Sequence, residues 1–327
     1  MPETDILHVI ADWVRQQSSI LVLSHERPDG DAYGSVIGLT TILREAGIDC
    51  NGYLPHPLPT RYSLLENDLE HIAVGGTLDI HAYQSIICLD TTDQERLALP
   101  AEPSCLNSVG NVCNIDHHGD NKCFGSPRWV DPAMASTTQM LSVLARKEFQ
   151  ISARGATAFL TGLVTDTGSF RFSNATPDAL REAAALTEAG ADYGQIIDNL
   201  FFRESYARRC LEAHLLMNAV FAHGRRLVYA VLDPQLLAKL GVEQADTEGI
   251  IDGLRCIDGV DIACLMQPES NRVRFSLRAR NTATPVNTIA RRIGGGGHPL
   301  AAGAKKENIS IEEAEKLLID ETKDVLG

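Results

Sequence analysis

The sequence predicts an α/β protein of two domains: a mainly parallel sheet flanked by helices, then a second, smaller α/β domain. Three observations carry this expectation. Short apolar runs alternate with helix-patterned segments through the first half of the chain, as in successive βαβ units. Polar, chemistry-bearing residues stand at the ends of those runs, where a parallel sheet collects its ligands. Towards the C-terminus the style changes to strand-like runs joined by a polar turn. With 327 residues the chain is long for one typical domain and comfortable for two. The expected division is 1–190 for the first domain, 191–215 for a helical connector and 216–327 for the second. No Pro/Gly/Ser linker marks the junction.

The elements follow in order. Ile6, Leu7, Ile10, Trp13 and Val14 recur at helical spacing, with Thr4 or Asp5 as cap. Ile20–Leu23 reads as a strand, followed by a helix near Ser35–Ala46 that ends at Gly47. Strand candidates follow at Ile48–Leu54, Ile86–Leu89 and Asn111–Ile115. Helices are expected over Thr137–Lys147, Arg154–Leu163 and from Pro177, a favoured first-turn residue, to near Gly190. Tyr193–Val220 reads as helical. Arg226–Leu232, Ile262–Met266 and Val273–Arg278 look like strands, the last two joined by a polar turn in Gln267–Arg272. A final helix starts at Ser310, with Glu313 completing a capping box.

Composition narrows the function. At 44% hydrophobic and 22% charged the chain is ordinary for a globular protein. A formal net charge of −14 disfavours a protein that coats long nucleic acid with its whole surface. Small anionic substrates stay open, because a local pocket can overcome the global field. No apolar run approaches the roughly 18 residues that span a bilayer. The start Met1-Pro2-Glu3-Thr4-Asp5 lacks the basic and apolar stretches of a signal peptide. The expectation is a cytoplasmic protein with no membrane partner. The eight cysteines form no CxxC pair, and Cys88 and Cys113 lie in strand-like runs, so they read as reduced thiols.

Chemistry concentrates in a few places. Asp116, His117 and His118 stand together at the end of an apolar run; such side chains are costly to bury and poor for packing. His25, Asp29 and Asp31 come from one short segment that Pro28 and Gly30 tighten. Its plainer reading is a polar βα loop in which an aspartate caps the next helix. Asp90 ends Ile86–Leu89, and Asp166 sits in Thr165-Asp166-Thr167-Gly168; singly, one could be a cap and the other a turn residue. Together, carboxylates and imidazoles from several strand ends can hold two divalent metals, and two metals can hydrolyse a phosphate ester. Gly294–Gly297 before His298 would let backbone approach a ligand and offer N–H groups to an anion. Arg278 and Arg280 alternate on a strand and could clamp a phosphate or stack on a base. Ser35 has no evident base partner, which disfavours a serine hydrolase.

These residues resemble the DHH phosphoesterase superfamily, whose name is the motif Asp116-His117-His118. The similarity runs through HERPDGDAYGS at 25–35, ICLDTTD at 87–93, NIDHHGDN at 114–121 and LVTDTGSFRFSN at 163–174. GGGGHPLAAG at 294–303 resembles the DHHA1 domain. The pattern looks most like the stand-alone oligoribonuclease and pAp-phosphatase group, related to the larger RecJ exonucleases. The resemblance implies that His25 and Asp29 bind one metal, that Asp31, His117 and Asp166 bind a second, and that Asp90 bridges both. It implies that Asp116 orients a histidine and that His118 faces the substrate phosphate. Two divalent ions are implied, usually manganese with magnesium as the other choice. The substrates implied are short single-stranded oligonucleotides or small nucleotides such as 3′-phosphoadenosine 5′-phosphate (pAp). Arg278, Arg280, Gly295, Gly296, Gly297 and His298 are expected to hold the far end of the nucleotide. Hydrolysis of linear or cyclic dinucleotides is the alternative within the fold. A binding module without catalysis is the alternative outside it, disfavoured by the complete ligand set. Oligomeric state stays open, a homodimer being one outcome.

Overall fold

The computed structural model describes residues 3–99, 106, 109–247 and 249–327. The chain divides into two compact units, one ending at Arg203 and the other running Glu204–Gly327. The segment 191–215, expected as a connector, is shared between them. Its first part packs Ile196 and Leu200 into the first core, and its last part packs Leu211 and Leu215 into a core of the second unit.

The first unit opens with helix α1 (Glu3–Arg15). The helix begins before Thr4 and Asp5, so both lie in its first turn rather than capping it. Leu7, Ile10 and Val14 are buried, with Ile6 and Trp13 packed against the core. Six strands follow: β1 (Ile20–Leu23), β2 (Cys50–Leu54), β3 (Ile72–Val74), β4 (Ser85–Leu89), β5 (Asn111–Asp116) and β6 (Arg128–Val130). They form one sheet in the order β3-β2-β1-β4-β5-β6, parallel throughout. The order reverses between β1 and β4. In an open parallel sheet, the crevice at the carboxyl ends of two such strands is where ligands bind. The short edge strands β3 and β6 escape sequence reading because three residues carry no usable periodicity.

Helices α2 (Gly30–Glu45), α3 (Thr137–Glu148), α4 (Ala153–Asp166) and α5 (Pro177–Glu188) share one core with Ile20, Val22, Ile87 and Leu89 of the sheet, while Leu21, Leu23, Ile86 and Cys88 pack in a separate cluster with Ile80, Leu97, Leu106 and Val109. The first of these helices starts five residues earlier than expected, because Asp29 is its N-cap: Asp29 Oδ1 accepts from the N–H groups of Asp31 and Ala32 at 3.0 and 3.1 Å. Along α2, Gly30, Gly34 and Gly38 fall on one face. A Cβ at Gly34 would overlap the Ala158 carbonyl oxygen, and one at Gly30 would overlap the Thr165 side chain. Glycine therefore allows α2 and α4 to touch backbone to backbone, which draws their functional ends together.

Residues 193–202 form α6 (Tyr193–Ile197) and a π-helical turn, Asp198–Phe202. The helix expected to run on to Val220 is thus interrupted. It resumes in the second unit as α7 (Tyr206–Met217), which Ser205 caps through the Arg208 N–H, and Val220 already belongs to a strand.

The second unit is a mixed sheet of β7 (Val220–Ala222), β8 (Leu227–Val231), β9 (Ile262–Glu269), β10 (Arg272–Ala279), β11 (Gly296–Gly297) and β12 (Ala301–Glu307), ordered β11-β12-β10-β9-β8-β7. Strands β9 and β10 form the expected hairpin, with a tighter turn than the polar stretch suggested. Helices α8 (Pro234–Leu240), α9 (Ile251–Arg255), α10 (Val286–Ile293) and α11 (Ile311–Leu326) complete it. The Ser310–Glu313 capping box is present in both directions. Phe275, Leu277, Val286, Ile289 and Leu318 lie in its main core.

Candidate active site

The strand ends at the reversal point carry the site. His25 follows β1, Asp90 follows β4, and Asp116 ends β5 with His117 and His118 just beyond. Two ligand candidates are helical instead. Asp31 lies in the first turn of α2. Asp166 is the last residue of α4, so the expectation that it sits on a strand end or turn is corrected. Nothing breaks that helix before Gly168, and the Thr165 hydroxyl bonds back to the Thr161 and Gly162 carbonyls.

Within the first unit, ligand atoms of His25, Asp29 and Asp90 lie within 4.8 Å of one another, and so do those of Asp31, His117 and Asp166. Asp90 faces both sets with different oxygens. Its Oδ2 is 3.6 Å from His25 Nε2, and its Oδ1 is 3.6 Å from His117 Nε2. Asp90 has φ +52°, a left-handed conformation that aspartate adopts more readily than most residues. His117 Nε2 is 3.5 Å from Asp166 Oδ2 and 3.9 Å from Asp31 Oδ2. The His117 and His118 rings meet edge to face at 4.6 Å.

Asp116 is fully buried and already engaged on both oxygens. Oδ1 lies 2.7 Å from His118 Nδ1, and Oδ2 accepts from Asn121 Nδ2 at 2.6 Å. That engagement suits a residue that orients His118 rather than one that binds an ion. Asn121 also donates to Asn114 Oδ1 and the Thr91 carbonyl.

Asp31 is held by the start of α3. The Thr137 N–H donates to Oδ2 at 2.7 Å, and the Thr138 N–H and hydroxyl donate to Oδ1 at 2.9 and 2.6 Å. Thr137 Oγ1 donates to Asp90 Oδ1 at 3.1 Å. Sequence reading gave no role to Asn121, although it closes the motif at 114–121, and missed Thr137 and Thr138, whose signal was only that of polar residues at a helix start, which any cap would give.

The electrostatics are those of crowded carboxylates. Burial and the neighbouring Asp90, Asp166 and Asp29 push the Asp31 carboxyl well above the usual carboxylate range. Burial opposes charge on Asp90, but the His25 hydrogen bond and the His118 and His117 imidazoles outweigh it and hold Asp90 well below that range. Burial and the His118 charge lower His117. For His118, burial is outweighed by its bond to Asp116 and by the Asp90 carboxylate, which raise it to about 10. Buried carboxylates packed this closely repel one another, and cations between them would remove the repulsion. Oxygen and imidazole donors without thiolate suit manganese or magnesium better than a soft ion. The donor set thus fits a pair of divalent metals. The nearby Cys88 and Cys113 are buried free thiols.

The second unit's expected residues are arranged differently from the reading. Residues Arg274, Ser276 and Arg278 of β10 alternate with buried Phe275 and Leu277. Arg280 lies beyond the strand, and its guanidinium donates to the Val260 and Ile257 carbonyls at 2.9 and 3.0 Å. The expected Arg278–Arg280 pair on one strand face is therefore replaced by Arg274 and Arg278. Gly294, with φ +110°, ends α10. Its N–H and that of Gly295 donate to the Ala290 carbonyl, and the His298 N–H donates to that of Ala301. Gly296 and Gly297 pair with Gly303 and Ala302. Those three N–H groups are committed inside the unit instead of being offered to an anion.

A doubly wound parallel sheet with this donor cluster at its reversal point defines a metal-dependent phosphoesterase. The chain belongs to the DHH family: residues 19–163 match the model described as "DHH family, N-terminal domain", and residues 224–327 match the DHHA1 domain. It is 32% identical over 317 residues, 95% of this chain and 91% of the relative, to the bifunctional oligoribonuclease and PAP phosphatase NrnA of Thermus thermophilus. It is 25% identical, over 96% of this chain and 49% of the relative, to the cyclic-di-AMP phosphodiesterase PdeA of Listeria monocytogenes. An exopolyphosphatase-related protein from Bacteroides fragilis shares the fold at a TM-score of 0.87, with 23% identity and coverage of 99% and 97%.

Proposed function

We propose that this chain hydrolyses short oligoribonucleotides and pAp at a two-metal site in its first unit. The observation that carries this is Asp90, whose two oxygens face two separate ligand sets. His25, Asp29 and Asp90 would hold one ion, and Asp31, His117, Asp166 and Asp90 the other. When bound, the ions would supply Lewis-acid stabilisation of phosphoryl charge and an activated water. Asp116, fixed by Asn121, holds His118 through Nδ1, and His118 is assigned to donate to a phosphoryl oxygen. Thr137 and Thr138 aim Asp31, and the Thr138 hydrogen bond opposes the upward push of burial and of the neighbouring carboxylates. Arg278 and His298 are assigned to the non-reacting end of the nucleotide through their side chains, while Arg280, Gly295, Gly296 and Gly297, expected there as well, are assigned to holding the unit's own backbone. Manganese is the proposed ion and the cytoplasm the proposed compartment. A homodimer is among the states this reading allows, and sedimentation decides it.

The substrate follows from similarity along nearly the whole chain to a relative named for both activities. Similarity to a cyclic-di-AMP phosphodiesterase, of which this chain spans about half, supports a second reading: hydrolysis of linear or cyclic dinucleotides. The test is one panel with manganese, comparing pAp, di- to pentaribonucleotides, linear and cyclic dinucleotides, and pyrophosphate. Fastest turnover on pAp and the short linear RNAs is expected. Preference for the cyclic dinucleotide would select the second reading, and no turnover on any of them would overturn both.

A further inference from the structure

We infer that Asn174 is a positioning residue that assembles the Asp31–His117–Asp166 half of the site. Its Nδ2 donates to two main-chain carbonyls, those of Ala135 and Asp166, each at 3.1 Å. One belongs to the last residue of α4, the ligand candidate itself. The other belongs to the segment 131–138, which touches four residues of the site. The Asp131 N–H donates to the Asp116 carbonyl at 3.1 Å. The Met134 carbonyl lies 3.4 Å from His117 Nδ1. Thr137 and Thr138 donate to Asp31, and the Thr137 hydroxyl reaches Asp90. Asn174 thus ties the piece that carries Asp166 to the piece that aims His117 and Asp31.

The chain makes an effort to place it there. Gly168, Ser169 and Phe170 follow α4 with φ of +57°, +58° and +60°, a run of left-handed residues that non-glycine side chains adopt at a cost. The Ser169 N–H bonds back to the Val164 carbonyl, and those of Arg171 and Phe172 bond to that of Thr167. The chain therefore folds back on the helix end, and residue 174 reaches the carbonyl eight positions before it. The amide orientation is fixed by its surroundings. Turned the other way, Asn174 would set its own oxygen against two carbonyl oxygens.

Asp166 is the member of its set that most needs such a tie. Its side chain is 28% exposed, against 1% for Asp31 and 6% for His117, so packing constrains it least. A group that orients a ligand without touching the ion typically changes metal affinity about 10–100-fold when removed. The effect expected here is selective, because the two hydrogen bonds of the Asn174 amide go to the segments that carry Asp166 and aim His117 and Asp31.

The inference rests on the two-metal reading, and the experiment separates the two. Mn2+ is titrated calorimetrically into the metal-free full chain, for the wild type and for Asn174→Ala, Asn174→Ser and Thr176→Ala. Turnover is then followed against Mn2+ concentration. Thr176 caps α5 through the Ala179 N–H and serves as a control for local destabilisation. The wild type should bind two ions. Asn174→Ala should keep the first affinity, weaken the second about 10–100-fold and recover turnover as Mn2+ is raised. Asn174→Ser, with a single shorter donor, should fall between. Thr176→Ala should lower the melting temperature and leave both affinities unchanged. Unchanged second-ion binding in folded Asn174→Ala, or equal weakening in Thr176→Ala, overturns the inference. Should Asn174→Ala fail to fold, Asn174→Ser decides by the same measure. Fewer than two ions in the wild type would bring down the two-metal reading and this inference with it.

Discussion

The two units treat their polar groups in opposite ways. The first buries Asp31, Asp90 and Asp116 almost completely and points carboxylates at one another. Folding alone gains nothing from that arrangement, since buried like charges oppose it. The second unit ties Arg280 to the Val260 and Ile257 carbonyls and closes its glycine run onto its own strand. These groups serve the unit's own backbone. The difference locates the chemistry: reactivity belongs where the fold carries an electrostatic cost, and the second unit is the more self-contained scaffold.

The largest expected effect tests that contrast at its centre. Asp90→Ala should abolish turnover and lower metal content while the fold survives, because Asp90 presents one oxygen to His25 and the other to His117, one in each set of ligand candidates. Metal analysis beside a turnover assay reads both. Normal turnover in Asp90→Ala would remove the two-metal assignment.

Next come the paired histidines. His118→Ala should keep its metal and lose kcat by about 10²–10³, the usual loss for one transition-state donor. His117→Ala should lose metal as well, since Nε2 lies among Asp31, Asp90 and Asp166. Equal metal loss in both variants would contradict the division of labour between neighbouring residues.

How much of this was legible in the sequence depends on what each residue does. Strands β1, β4 and β5 were readable because buried parallel strands are continuous apolar runs. The metal-competent residues were readable because polar groups at the ends of such runs are conspicuous. Asp166 was found as a residue but misplaced, since a four-residue turn motif does not reveal that α4 continues through it. The early start of α2 was hidden because Asp29 serves at once as cap and as ligand candidate, and the capping reading looked like the alternative to function. Asn121 and Asn174 close two of the motifs at 114–121 and 163–174, but their roles, like Thr137 and Thr138 altogether, were out of reach. Amides and hydroxyls are common at loops and helix starts, and only the fold shows which carboxylate or carbonyl they meet. In the second unit the glycine run was legible as a requirement for close approach, but the neighbour approached is strand β12.

A smaller effect probes the second unit's role. Arg278→Ala should reduce kcat/KM on a dinucleotide about tenfold or more, the worth of one charge-assisted hydrogen bond to phosphate. Bis-p-nitrophenyl phosphate, which has no far end to hold, should be cleaved as before. Arg280→Ala should instead lower the melting temperature, because two backbone carbonyls lose their donor. Proportional loss on both substrates in Arg278→Ala would mean that the residue supports the fold rather than the nucleotide.

The last effect, the smallest expected on turnover, compares two glycines held by the same physics. A Cβ at Gly34 would overlap the Ala158 carbonyl oxygen of α4, and a Cβ at Gly295 would overlap the Gly303 carbonyl oxygen of β12. Neither neighbour is a flexible side-chain end, so each Gly→Ala change should cost about 1–3 kcal/mol through overpacking. The consequences for chemistry should differ. Displacing α4 moves the helix that ends in Asp166, so Gly34→Ala should also raise the manganese concentration needed for half-maximal turnover. Strand β12 carries no metal ligand candidate, so Gly295→Ala should destabilise the protein and leave that concentration unchanged. Denaturant melts and manganese titrations of the two variants make the comparison. If Gly295→Ala kept full stability and still lost nucleotide hydrolysis, the glycine run would be a ligand contact first and a packing device second, and the contrast between a costly catalytic unit and a self-contained scaffold would have to be redrawn.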